Sequence, residues 1–357
     1  MKKKYYDLKP LLNTGCNWLI LYGMRSNGKS YRVKEHCIKE AFKGRHFVYL
    51  RRWGDDIKTK DVSSYFDDMP FNDLTNGQYQ GIMAYQGYFY FYTVGEDDKP
   101  CKGPLAGRYC ALNFYERYKS QVFKDYDNII FEEFLTRKTY LGNGTTVTEP
   151  KLLMSLVSTV ARDRDIKVFM IANTETRINP YSSEWGINMK DLKPGNIEIY
   201  HLKGENGIVD IAVENCEVVE TKSKMFFGLA SKQIISGEWD VDEVPKLLKP
   251  YEYYEMLYEL KAVYDNFKFC IQLMIDPENG GPFVFIYPLT KENRKIDRTI
   301  TNVFKTDWMI NNGLDHRINA ECMIAECFRR GKVCFSDNLT GTDFRQILKY
   351  YDFKGVI

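Results

Sequence analysis

Gly23, Gly28, Lys29 and Ser30 have the residue types and spacing of a phosphate-binding loop, G-x-x-x-x-G-K-[ST]. Glycines at those positions let the backbone curl until its N–H groups converge on phosphate oxygens. Lys29 is placed to reach β- and γ-phosphates, and the Ser30 hydroxyl to sit on Mg²⁺. A second chemical cluster lies about a hundred residues on, where the apolar run Asn128–Phe131 delivers Glu132 and Glu133. An apolar strand ending in paired acids is the form of a Walker B element. Glu132 is assigned to the magnesium shell and Glu133 to activation of a water. Asn173, after the apolar run Lys167–Ala172, is a candidate sensor of the γ-phosphate, although Asn at a strand end is also ordinary turn chemistry. Arg162 and Arg164 follow a helical stretch. They read either as a basic helix terminus or as an arginine finger that crosses a subunit boundary.

The elements needed to position these groups are present in the pattern. Trp18–Tyr22 suits a buried strand, and Ser30–Phe42 follows as a helix whose N-terminus favours anions. A glycine turn with a chance Lys-Ser would lack that strand–loop–helix setting. Further strands are expected at His46–Arg52, as a pair within 79–95, at Ala111–Tyr115, Asn128–Phe131 and Lys167–Ala172, with a helix over Glu149–Arg164. This alternation predicts an α/β domain. Thr136–Thr148, with two glycines and five threonines, reads as a loop. Short alternating segments with an Asn206-Gly207 turn signal occupy 195–225. A second unit follows, with a hairpin Phe267–Ile275 and Pro282–Tyr287 and helices over His316–Arg330 and Thr342–Tyr351. The expected division is an ATPase domain over 1–194, a linker region over 195–227 and a smaller α+β domain over 228–357.

Composition limits the function classes. The 357 residues are 44% hydrophobic with a formal net charge of +2, so any nucleic-acid contact must come from local patches or an assembled ring. No apolar run is long enough for a membrane span, and the N-terminal lysines have no apolar stretch behind them to form a signal peptide. The nine cysteines contain no C-x-x-C pair. Cys322, Cys327 and Cys334 with His316 do not form a zinc knuckle, so reduced thiols in a cytosolic protein are expected.

The phosphate loop with Arg25 at its third position, the strand Phe47–Arg52, Ile129–Phe134, Val160–Arg164, Asn173 and Asn179-Pro180-Tyr181 together resemble the genome-packaging ATPases of small short-tailed bacteriophages that replicate from a terminal protein. The likeness covers roughly residues 15–185. It implies a P-loop NTPase domain with a central, mostly parallel sheet, of the class with an additional strand and a catalytic glutamate, binding ATP and Mg²⁺. It implies ring homo-oligomers, typically pentamers, that work in the host cytoplasm. There they dock at the portal vertex of a procapsid and drive double-stranded DNA inward. Some relatives also use a packaging RNA between ring and portal. By position, Arg25 belongs to the nucleotide-binding set, Lys119 matches a lysine used between neighbouring subunits, one of Arg162 and Arg164 matches the finger, and Asn173 matches the sensor or switch. The C-terminal unit would be RNase H/nuclease-like but stripped of its acid cluster. One departure stands out: the first acid of the strand is usually Asp and here is Glu132, which leaves the division of roles between Glu132 and Glu133 open.

Double-stranded DNA would be gripped through its phosphates. Arg137 and Lys138, just past the acidic strand, are the candidates, with Lys222, Lys224 and Lys2 to Lys4 behind them; solvated loop charges are the plain alternative. Arg294, Lys295 and Arg298 could serve a non-catalytic C-terminal unit that binds nucleic acid or the portal. Two rival functions are a large terminase whose Asp276, Asp297 and Asp343 form a live nuclease site, and a small-molecule P-loop kinase.

Overall fold

The computed structural model describes residues 5–142, 147–219, 225–278, 280–290, 296–301 and 313–350. The chain forms two compact units, Met1–Asp240 and Val241–Ile357.

The first unit is built on nine strands: β1 (Trp18–Gly23), β2 (His46–Arg51), β3 (Gly81–Tyr85), β4 (Tyr88–Val94), β5 (Pro100–Ala111), β6 (Tyr126–Glu132), β7 (Lys167–Asn173), β8 (Asn196–Gly204) and β9 (Gly207–Asn215). They lie in one sheet in the order β3-β4-β5-β2-β6-β7-β1-β9-β8. The run β5-β2-β6-β7-β1-β9 is parallel throughout. Antiparallel pairings at β3–β4, β4–β5 and β8–β9 close its two sides. Every residue of β1 is buried, as are Ile129–Phe131 and Val168–Ala172. Such continuous apolar runs suit strands covered on both faces. The main helices are α1 (Lys29–Phe42), α2 (Glu149–Ala161), α3 (Pro180–Trp185) and α4 (Leu229–Ser236).

Three expectations need correction. Ala111–Tyr115 is not a strand: β5 ends at Ala111, and Leu112–Tyr118 turn into a 3₁₀ helix. The strand itself is obscured in sequence by Pro100, Gly103, Pro104 and Gly107, residues that usually interrupt strands. Gly107 is required there, because a Cβ would lie 2.5 Å from the Phe47 carbonyl oxygen on the neighbouring strand. The region 195–227 is not a linker in its described part, since β8 and β9 form a hairpin and β9 pairs with β1 inside the sheet. Finally, residues 228–240 belong to the first unit. Gln233 Nε2 donates to the Thr174 carbonyl at 3.0 Å, the Asp240 amide donates to the same oxygen at 2.9 Å, and Trp239 stacks on Tyr22 with centroids 5.5 Å apart.

The second unit carries a five-stranded sheet, β13-β10-β11-β12-β14, from β10 (Glu255–Tyr264), β11 (Phe267–Ile275), β12 (Pro282–Pro288), β13 (Thr299–Thr301) and β14 (Val333–Phe335). An antiparallel meander, β10-β11-β12, is flanked by β13 and β14, each parallel to its neighbour. Helices α5 (Asn319–Arg329) and α6 (Asn338–Tyr350) complete this α+β unit. Among the described residues no three or more His, Cys, Asp or Glu side chains are grouped to hold a metal ion. Asp276 accepts from the Tyr253 hydroxyl at 3.2 Å, and Asp343 is buried. Arg298 is committed to buried Glu321, at 2.8 Å, within this unit. Among the described residues no helix is long and apolar enough to cross a membrane.

Candidate active site

The strand order places three chain ends side by side. Gly23 at the end of β1 lies in register with Asn173 at the end of β7, and Glu132 at the end of β6 pairs with Ile171 one strand further along. A cleft of about 280 Å³ opens at these ends, lined among others by Ser26–Ser30, Glu132, Glu133 and Asn173. Ser26 and Asn173, 147 positions apart in the chain, therefore face one space.

The glycines behave as the pattern requires. Gly23 has φ of 145° and a Cβ there would meet the Cys216 carbonyl oxygen at 3.2 Å. Gly28, at φ of 101°, is the left-handed residue from which α1 starts. Lys29 is 4% exposed, and its ammonium is folded onto its own loop. It donates to the Met24 carbonyl at 2.6 Å and to Asn27 Oδ1 at 3.3 Å. Burial pushes its pKa down to about 8, against smaller upward pulls from Cys216 and Glu132 and a further lowering by Arg25. The half-buried Ser30 lines the same cleft. Arg25 is exposed and pairs with Glu175, the second residue past Asn173, at 2.7 Å.

The two acids differ in their surroundings. Glu132 accepts the Tyr65 hydroxyl at 2.9 Å. Glu133 is exposed, has φ of 57°, and its carboxylate meets Arg51 Nη2 at 2.6 Å. Its carbonyl accepts Arg52 Nη1 at 3.0 Å. Tyr65, Asp68, Lys34, Arg51 and Arg52 are site residues that sequence reading missed. Lys34, on α1, bonds Asp68 at 2.5 Å and the Tyr65 carbonyl at 2.9 Å, bringing the segment between β2 and β3 to the cleft. Arg51 and Arg52 were visible only as the basic end of an apolar strand.

The remaining candidates are elsewhere. α2 stops at Ala161 rather than Arg164, and Arg162 adopts φ of 51° just beyond it. Arg164 bonds Asp127 at 2.5 Å and the carbonyls of Phe123, Tyr126 and Val160 at 2.8, 3.1 and 2.9 Å. Arg162 is exposed, with one long contact to the Gln121 carbonyl at 3.5 Å. Lys119 is also exposed and pairs with Glu116 at 2.8 Å. Both arginines precede β7, so the length of a seven-residue strand, about 20 Å, separates them from Asn173. Arg137 pairs with Asp240 at 2.9 Å, whereas Lys138 is exposed. Lys2 to Lys4, Lys222, Lys224, Arg294 and Lys295 lie outside the described residues.

A large, mostly parallel sheet with a glycine-loop lysine, paired acids and a strand-end amide around one cleft defines a mixed α/β protein. Residues 1–233 match the family described as Podovirus DNA encapsidation protein (Gp16), and the chain belongs to that family. The "DNA packaging protein" of Bacillus phage phi29 is 27% identical over 187 residues, 50% of this chain and 49% of that one. Its namesake in Bacillus phage B103 is 28% identical over 167 residues, 46% of each chain. The chain thus spans about half the length of the curated relatives it matches. A solved structure of the bacteriophage phi29 viral genome packaging motor assembly covers 97% of this chain and 99% of its own at 19% identity, with a TM-score of 0.50. At that identity the likeness is one of fold.

Proposed function

We propose that this chain is an ATP-hydrolysing subunit of a ring motor that drives double-stranded DNA into a procapsid. The observation that carries this reading is the convergence of Ser26–Ser30, Glu132, Glu133 and Asn173 on one cleft. The intervening strand β7 between the loop strand and the acid strand agrees with the additional-strand class that the resemblance implies.

The loop amides and Lys29 bind the triphosphate, and Lys29 exchanges the Met24 carbonyl for phosphate oxygens. Ser30 and Glu132 offer the hard oxygen donors that Mg²⁺ prefers, on the same cleft, so the residues fit that ion. Bound there, the ion would offset negative charge on the transferring phosphoryl group. Glu133 orients and polarises the attacking water once its carboxylate leaves Arg51. Asn173, level with Gly23, reads the γ-phosphate.

Of the two finger candidates we assign Arg162. Arg164 is spent on one carboxylate and three carbonyls, and Arg162 is not. A strand length from its own cleft, Arg162 can act only on a neighbour's nucleotide, beside exposed Lys119. Lys138 is the better placed DNA contact, because Arg137 must first exchange Asp240 for a DNA phosphate. The second unit is proposed as a nuclease-like fold without nuclease chemistry, serving nucleic acid or portal contacts; metal-dependent plasmid cutting lost in Asp276→Ala, Asp297→Ala or Asp343→Ala would overturn that assignment.

The test is DNA-stimulated ATPase activity and nucleotide affinity of wild type, Lys29→Ala and Glu133→Gln. Lys29→Ala is expected to lose nucleotide binding or hydrolysis. Glu133→Gln is expected to bind ATP and stall, with a loss of 10²-fold or more, on the order of general-base removal. Full turnover by Glu133→Gln sinks the assignment.

A further inference from the structure

We infer that the buried pair Arg52–Glu149 positions Glu133, and with it the loop that follows; this rests on the hydrolytic reading above. Arg52, just past β2, is 5% exposed. Its Nε and Nη2 donate to the two carboxylate oxygens of Glu149 at 2.7 and 2.9 Å. The rest of the same guanidinium holds main chain: Nη1 donates to the Glu133 carbonyl at 3.0 Å and Nη2 to the Phe134 carbonyl at 2.7 Å. Glu149, the first residue of α2, has no exposed surface. It also accepts the Tyr181 hydroxyl from α3 at 2.8 Å and the Leu141 amide at 2.9 Å. One ion pair therefore pins the chain at residues 133–134 and again at 141, the two feet of the segment that carries Arg137 and Lys138.

Neither Arg52 nor Glu149 lines the cleft, so their role is positioning and not chemistry. The need for it is visible at Glu133. Its left-handed backbone is one that a residue with a Cβ keeps only where its surroundings impose it. Arg52 imposes it by fixing two successive carbonyls from a planar, preorganised fork. Where those carbonyls are held, the Glu133 carboxylate is aimed, whichever partner it has. A buried ion pair adds little net stability over apolar packing, so a pair retained with this many directional bonds points to geometry.

The test uses the full chain, with ATPase kinetics well below the unfolding temperature and nucleotide affinity measured separately. Glu149→Gln and the milder Tyr181→Phe are expected to lower kcat, by roughly tenfold and roughly threefold, as small misplacements of catalytic groups do. KM and affinity for ATP should stay within about twofold, because the glycine loop is untouched. Arg52→Lys keeps a cation beside Glu149 but cannot span the carboxylate and both carbonyls. A purely structural pair is rescued by that substitution, whereas positioning leaves kcat low. Wild-type kcat in Tyr181→Phe, or rescue by Arg52→Lys, overturns the inference, and Tyr181→Phe decides alone if Glu149→Gln does not fold. Wild-type protein lacking Lys29-dependent hydrolysis would instead overturn the hydrolytic reading itself.

Discussion

Lys29 is a lysine that its own site partly discharges. Its pKa of about 8 means that, as pH rises through 8 toward the ordinary value of 10.5, the folded protein sheds this proton before the unfolded chain does. Burial of the ammonium costs stability in full below pH 8. The cost is relieved between about 8 and 10.5, so stability contributed by this residue rises with pH in that window. A triphosphate bound against the amine would restore its charge. Nucleotide binding near pH 8.5 is therefore expected to take up a proton, seen as a calorimetric binding enthalpy that varies with the ionisation enthalpy of the buffer. A buffer-independent enthalpy, or proton release, would contradict this. The residues themselves were largely legible in sequence, because a glycine spacing and an acid pair each carry a local signature. Arg51, Arg52 and Tyr65 were not, since their roles come from partners 82, 81 and 67 positions away.

Among elements, the central strands were readable because burial on both faces writes an uninterrupted apolar run, as in Trp18–Tyr22 and Ile129–Phe131. β5 was hidden by its prolines and glycines, and β9 by alternation that suits a solvent-edge hairpin as well as an interior strand. The stop of α2 at Ala161 separates two arginines that look alike in sequence. Arg164→Ala is expected to destabilise the fold by about 1–3 kcal/mol, because it strips charge-assisted bonds from Asp127 and three carbonyls. Arg162→Ala should leave the free energy of unfolding within about 0.5 kcal/mol of wild type, as surface substitutions usually do. Denaturant unfolding of the two variants checks the contrast, and equal effects would remove the basis for choosing between them.

At the scale of the whole molecule, Arg162 and Lys119 are exposed and neither lines the cleft; under the proposed role in trans, a complete site requires two copies. Lys29→Ala supplies a sound Arg162, and Arg162→Ala a sound Lys29. Mixing the two inactive proteins is expected to restore part of the DNA-stimulated ATPase rate, at those interfaces where the intact halves meet. No recovery across mixing ratios, in variants shown to assemble, would rule out a role in trans. Sequence offered this arrangement only as one of two readings of Arg162 and Arg164, because a contact to another subunit would leave no periodicity in the chain.

The hairpin β8–β9 also bears on how the protein is made. β9 is the lateral neighbour of β1, and Cys216 directly after it walls in Gly23. A nascent chain cannot seal the cradle around Lys29 until residue 216 has left the ribosome. Until then the fully apolar β1 is a naked sheet margin, ready to recruit a strand from another polypeptide. Ending the gene at codon 194, where sequence alone would trim the domain, is expected to give an insoluble product, while ending it at codon 240 should give a soluble one.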